Sequence, residues 1–104
     1  MDVKTIQNGI AYEWDTNKEI LNYKKHRVSF DTAIKVFNDE NRLEFYDDSH
    51  STYEDRYITI GIVNDIAVCI QVVYTERNHS VRIISARKAT NSERMMYYDS
   101  QKIL

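Results

Sequence analysis

Hydrophobic and polar positions change period several times along the chain, and each change marks an element. Residues 1–9 are polar and carry no pattern. Ile10-Ala11-Tyr12-Glu13-Trp14 alternates, with Ile10, Tyr12 and Trp14 on one side, and predicts a short strand. Asp15 then stands as an N-cap before a helix over residues 16–26, because its carboxylate can accept an orphan N–H of the first turn. Lys24, Lys25 and His26 fall in that helix's last turn, where positive charge suits the free carbonyls. Ser29 caps a second helix whose Phe30, Ala33, Ile34 and Phe37 form an i, i+3, i+4, i+7 stripe. Arg27, in the tight corner between the two, occupies a position where helices often end in the left-handed conformation.

Leu43-Glu44-Phe45-Tyr46 predicts a short strand, and the acidic run Asp47–Asp55 a loop. Two β-branched runs, residues 57–63 and 66–74, flank Asn64-Asp65 and predict a hairpin closed by a two-residue primed turn. The hairpin is expected to align Ile58, Ile60 and Ile62 with Ile66, Val68, Ile70 and Val72 on one apolar face, covered by the two N-terminal helices. The other face would show Tyr57, Thr59, Gly61, Cys69, Gln71 and Thr75, a mixed surface suited to solvent or a ligand. Gly61 inside a strand points to a bulge or to close approach of another segment. After a turn at residues 76–80, Val81–Lys88 reads as a strand, and Thr90-Asn91-Ser92-Glu93 is a capping box opening a last helix. The expected order is β-α-α-β-β-β-β-α: an α+β fold, with two N-terminal helices on one face of a small antiparallel sheet and a C-terminal helix.

Composition narrows the picture. A chain of 104 residues with two Gly and no Pro is expected to be one domain, 1–104, with a single core. The lone Cys69 lies in an apolar strand and fits a reducing compartment better than a disulfide role. Neither a signal peptide nor a membrane-spanning run is evident, so a cytoplasmic protein is expected. The net charge of −2 hides a polarised distribution: residues 38–55 carry seven acids and one Arg, residues 76–94 five bases and two acids.

Those bases draw attention to Val81–Arg94. Arg82 and Arg87 stand five residues apart on a strand, so strict alternation would send them to opposite faces. Arg77 and Arg94 could join whichever one faces outward. Converging guanidinium groups make a site for phosphate, since the planar fork donates paired hydrogen bonds and stays charged. No metal motif or nucleotide-binding loop accompanies them: His26, His50 and His79 lie far apart, and neither metal nor cofactor is expected. Arginine, lysine, histidine, carboxylate and tyrosine are sufficient for cleaving RNA, whose 2′-OH is an internal nucleophile. In that chemistry the arginines would stabilise the phosphorane, His50 or Glu54 would be the base, and Lys25, His26 or Tyr97 would donate a proton or hold phosphate.

At these residues the chain resembles a known family. Tyr12-Glu13-Trp14-Asp15 with Lys18, Asn22 with Lys25-His26, Val28-Ser29-Phe30, Asp48-Ser49-His50-Ser51 with Glu54 and Arg56, Ile60-Gly61, Tyr74-Thr75-Glu76-Arg77, Arg82-Ile83-Ile84-Ser85-Ala86-Arg87, and Glu93-Arg94 with Tyr97 are similar to the BrnT toxins. These are ribonucleases of the RelE-like superfamily, found in type II toxin–antitoxin systems. The resemblance implies a RelE-like fold with its site on the concave sheet face, metal-independent cleavage of cellular RNA, and growth arrest. It further implies a ribbon-helix-helix antitoxin (BrnA-like) that neutralises the toxin and carries the complex to operator DNA, with no membrane involved. By motif position it brings forward His50, Glu54, Arg77, Arg82, Arg87 and Tyr97 as catalytic residues, with Lys25, His26 and Arg56 binding substrate; Arg94 joins the latter group from its place on the last helix. The chain departs from the family at Arg27, where glycine is usual, and at Glu40, where proline is usual. A second reading is a fold that has lost catalysis and serves only as antitoxin partner and transcriptional co-repressor.

Overall fold

The computed structural model describes residues 1–102. Its elements are β1 (Asp2–Gln7), β2 (Ile10–Asp15), α1 (Thr16–His26), α2 (Phe30–Ala33), which tightens into a 3-10 turn over Ile34–Asn38, and β3 (Leu43–Tyr46). A short 3-10 turn at Asp48–His50 leads to β4 (Arg56–Val63), β5 (Val68–Arg77), β6 (Ser80–Lys88) and α3 (Asn91–Ser100). The strands form one six-stranded sheet in the order β1-β2-β6-β5-β4-β3. The α+β class agrees with the sequence pattern, and so does the succession of helices and strands from β2 onward. No helix of the described residues is long and apolar enough to cross a membrane.

Two features of the sheet lay outside the expectation. Residues 2–7 form an edge strand, paired with β2 across the two-residue link Asn8-Gly9. Both link residues have positive φ, 51° and 78°, the primed turn that Asn-Gly favours. The sheet is also mixed rather than antiparallel: β2 runs parallel to β6 over Ala11↔Ser80 to Glu13↔Arg82. Beyond that short ladder the edge of β6 would stand open, and the buried Asn22 of α1 replaces the missing strand. Its amide donates to Ala86 O at 2.8 Å and to Val28 O at 3.2 Å, and accepts the Ala86 N–H at 3.1 Å.

The connection between β4 and β5 has four residues, Asn64–Ala67, with Val63 opposite Val68 and Ala67 at φ 52°. An even-numbered link pairs even positions of one strand with odd positions of the next. Ile58, Ile60 and Ile62 therefore face Val73, Gln71 and Cys69, and do not align with Val68, Ile70 and Val72 as expected. The sheet consequently buries apolar surface on both sides. On one, Val63, Ile70, Val72, Tyr74, Ile83 and Ala86 pack with Tyr12, Trp14 and the α2 segment (Phe30, Ala33, Ile34, Val36). On the other, Ile60 and Cys69 meet Ala89 and Tyr97, with Leu43, Ile58 and Ile62 at the margin. Each fully buried aliphatic or aromatic side chain contributes about 1.5–3 kcal/mol.

α2 covers the first face more than α1 does. Asn22 is the buried residue of α1, whereas Ile20, Leu21 and Tyr23 are exposed. The switch to 3-10 geometry after Ala33 puts Val36 directly over Ala33, so Val36 is fully buried. Gly61 makes that approach possible: a Cβ there would lie 2.9 Å from Val36 Cγ2 and 3.0 Å from Asp39 Oδ2. The caps are formed as expected: Asp15 accepts the Asn17 N–H at 2.8 Å, Ser29 accepts the Thr32 N–H at 3.1 Å, and Thr90 and Glu93 close the capping box. Arg27 ends α1 at φ 60°, and its guanidinium lies 5.7 Å over the Tyr23 ring. The left-handed conformation costs a non-glycine residue about 1–2 kcal/mol.

Candidate active site

α3 crosses only part of the second sheet face, and the uncovered part is a hollow of about 360 Å³. Its floor is Ile58, Gln71, Val73, Ile84 and Ser85 from β4, β5 and β6, and its rim is Asp47, Ser49, His50 and Arg56. A bulge at Val73/Tyr74 shapes the floor. Tyr74 opposes Ile83 and Val73 opposes Ser85, so Ile84 is the additional residue. The bulge also overturns the expectation for the arginines. With one residue inserted between them, Arg82 and Arg87 lie on the same face of β6, opposite Thr75 and Gln71.

The rim is a closed loop. Asp47 N–H donates to Arg56 O at 2.8 Å, continuing the β3–β4 ladder. Ser51 Oγ donates to Asp47 O at 2.6 Å and accepts the Arg56 N–H at 2.9 Å, stapling the intervening residues. Thr75 Oγ1 fixes the far side through Asp55 O at 2.6 Å. On this frame His50 Nδ1 lies 3.0 Å from Asp47 Oδ2 and 3.0 Å from Ser49 Oγ. The carboxylate can only accept, which assigns the proton to Nδ1 and leaves Nε2 free. Asp47 is largely buried, with 11% of its side chain exposed against 67% for His50, so the carboxylate is the fixed partner.

The arginines divide into two kinds. Arg56, on the rim, makes no side-chain hydrogen bond or ion pair among the described residues; it lines this hollow and its neighbour, and its charge also helps keep Glu54 ionised. Arg77 forms a fork with both oxygens of Glu54, each at 2.9 Å. That hydrogen-bonded guanidinium holds the Glu54 carboxyl below its ordinary range and makes it a weak base. Arg82, with 15% of its side chain exposed, is wedged between Asp2 and Glu13 and ties β1, β2 and β6 together. Arg87 binds both oxygens of Glu93, at 2.7 and 3.0 Å, and joins β6 to the start of α3. Arg94 bonds to Ala89 O and to the Asn91 side chain at the same helix end.

Tyr97 does not line the hollow. It is buried beneath α3, and its hydroxyl donates to Asp39 Oδ2 at 2.6 Å. Burial, and then the Asp39 charge, push its pKa up and keep the proton on the phenol. Asp39 also accepts the N–H of Ile62 at 2.8 Å and of Asn41 at 2.9 Å. Lys25 and His26 sit at the end of α1, away from the rim; burial and the charges of Lys25 and Arg87 lower the His26 pKa. His79 lies with Arg77 around a separate opening of about 420 Å³ at the β5–β6 turn. The fold thus brings together His50, Glu54 and Arg56, with Arg77 behind Glu54. It leaves Arg82, Arg87, Arg94, Tyr97, Lys25 and His26 elsewhere. Asp47 and Ser51 were not foreseen as site residues, although Asp47 precedes His50 by three positions, one helical turn. Among the described residues no group of three His, Cys, Asp or Glu gathers as a metal would require.

The family model described as "Ribonuclease toxin, BrnT, of type II toxin-antitoxin system" matches residues 14–93, and the chain belongs to that family. Its class is therefore a ribonuclease toxin of a type II toxin–antitoxin system, acting on RNA and countered by an antitoxin. No curated protein matches the chain.

Proposed function

We propose that the chain cleaves cellular RNA without a metal, in the hollow rimmed by His50 and Arg56. The carrying observation is the pairing of an uncommitted guanidinium with an imidazole whose Nδ1 is already engaged by Asp47. Neutral His50 takes the proton of the 2′-OH through Nε2. The 2′-oxygen then attacks phosphorus, the bond to the 5′-oxygen breaks, and the leaving oxygen takes a proton from water in the open hollow. Arg56 faces the non-bridging oxygens as their charge grows; donors of this kind supply about 10²–10³ in rate. Arg77 and Glu54, closed on each other as a neutral fork, form the wall behind and hold the loop in place. Lys25, at the end of α1, serves as a further contact for the RNA backbone beyond the hollow.

The partner we propose is a ribbon-helix-helix antitoxin that blocks the hollow and carries the toxin to its operator, and free toxin arrests growth. Purified protein is expected to cleave RNA in EDTA, leaving cyclic phosphate ends, and to lose cleavage as His50→Ala. Cleavage that needs a divalent ion, or that survives His50→Ala, would contradict this chemistry. One observation favours the inactive co-repressor reading: Arg77, Arg82 and Arg87 are each neutralised by carboxylates. Induced expression in a bacterium separates the two, since arrest belongs to the nuclease and normal growth to the co-repressor.

A further inference from the structure

Beside the hollow lies a second one of about 230 Å³, lined by Ser49, His50 and Arg56 from the shared rim and by Thr52, Tyr53 and Glu54. A phosphate held between His50 and Arg56 therefore has room for a nucleoside on either side. The second hollow contains an aromatic ring in an unusual position. Tyr53 is fully exposed, and its hydroxyl bonds to nothing among the described residues. The other exposed tyrosines each have a partner: Tyr23 lies under Arg27, Tyr46 packs edge-on against Tyr57, and Tyr98 against Tyr97.

The backbone that carries Tyr53 is nonetheless held on both sides. Ser51 is stapled to Asp47 and Arg56, and Glu54 is clamped by Arg77. With the backbone already fixed, a flat surface settling on the ring has only its two side-chain torsions to order, and no internal contact to displace. An unstacked nucleobase is such a surface, and the neighbouring guanidinium selects a ligand that carries phosphate. We infer that Tyr53 is the stacking platform of a base-binding subsite for single-stranded RNA, adjacent to the phosphate that is cut. The inference rests on the ribonuclease reading of the same rim. It confines productive substrates to unpaired segments, because bases inside a duplex cannot reach the ring.

The test compares wild type with Tyr53→Ala, Tyr53→Leu and Tyr53→Phe. Binding is measured by fluorescence anisotropy with a short 2′-O-methylated single-stranded RNA, which cannot supply the nucleophile, and kcat and KM with the unmodified RNA. Alanine and leucine should each weaken binding and raise KM by about 5- to 100-fold, with kcat and Tm unchanged, while phenylalanine behaves as wild type. Alanine binding as tightly as wild type, or leucine substituting fully for phenylalanine, would overturn the subsite and leave cleavage intact. Failure of the ribonuclease reading looks different: wild type then cleaves nothing, whatever stands at residue 53.

Discussion

Replacing Tyr97 by phenylalanine separates a structural tyrosine from a catalytic one. The change removes one hydroxyl and leaves the ring packed against Ile60, Cys69 and Ala89. The bond lost is the one donated to Asp39 at 2.6 Å. A hydrogen bond to an ionised group is worth about 1.5–3 kcal/mol. Asp39 keeps the N–H donors of Ile62 and Asn41 and is half-buried, so water can take up the vacated lone pair. The expected loss is thus at the low end, about 1–2 kcal/mol. For a domain of this size that lowers Tm by about 5–9 °C. Thermal unfolding by circular dichroism measures the first effect and cleavage of a labelled RNA the second. Cleavage at 25 °C should equal that of wild type, because the phenol is neither in the hollow nor able to release its proton readily. Loss of cleavage with Tm unchanged would refute this reasoning and return Tyr97 to the reaction.

Three further outcomes follow from the ion pairs. Arg82→Ala strands Glu13 in a nearly closed site, so urea unfolding should show a loss of about 2–4 kcal/mol, with residual cleavage in proportion to the folded fraction. Asp39 and Glu93 both have lowered pKa values: burial opposes ionisation, but the Ile62 N–H and Tyr97 hydroxyl in one case, and Arg87 in the other, outweigh it. Their stabilisation is present above the unfolded-state values near pH 4 and is lost as pH falls through the folded ones, so urea midpoints should hold from pH 7 to 5 and drop below pH 4. Asp47→Asn keeps the shape of the rim but no longer fixes the His50 ring, and should lower kcat by about 10- to 100-fold with KM and Tm little changed; an equal loss in KM would mean that Asp47 binds substrate instead.

Much of the fold was legible because it rests on local chemistry. Asp15, Ser29 and the Thr90–Glu93 box are short-range signals, and all three caps are formed. Asn8-Gly9 was an equally local signal for the first hairpin, obscured by the polar residues around it. Register was harder to read. Ile58, Ile60 and Ile62 look like one face of a core with Val68, Ile70 and Val72, yet any even-numbered link, of two residues or of four, sets them against odd positions of β5. The bulge that brings Arg82 and Arg87 to one face has no sequence marker of its own. The site shows the same division. His50 stood out as a residue type and Arg56 only through the family resemblance; which of the arginines was uncommitted depended on Glu54, Asp2, Glu13 and Glu93, which reach them from other elements.

The central claim is that Arg56, and not the more numerous paired arginines, meets the reacting phosphate. The direct measurement is single-turnover cleavage of a labelled single-stranded RNA by Arg56→Ala, with its Tm recorded alongside. A fall of about 100-fold or more with Tm close to that of wild type is the result expected. Wild-type cleavage by Arg56→Ala would contradict the account.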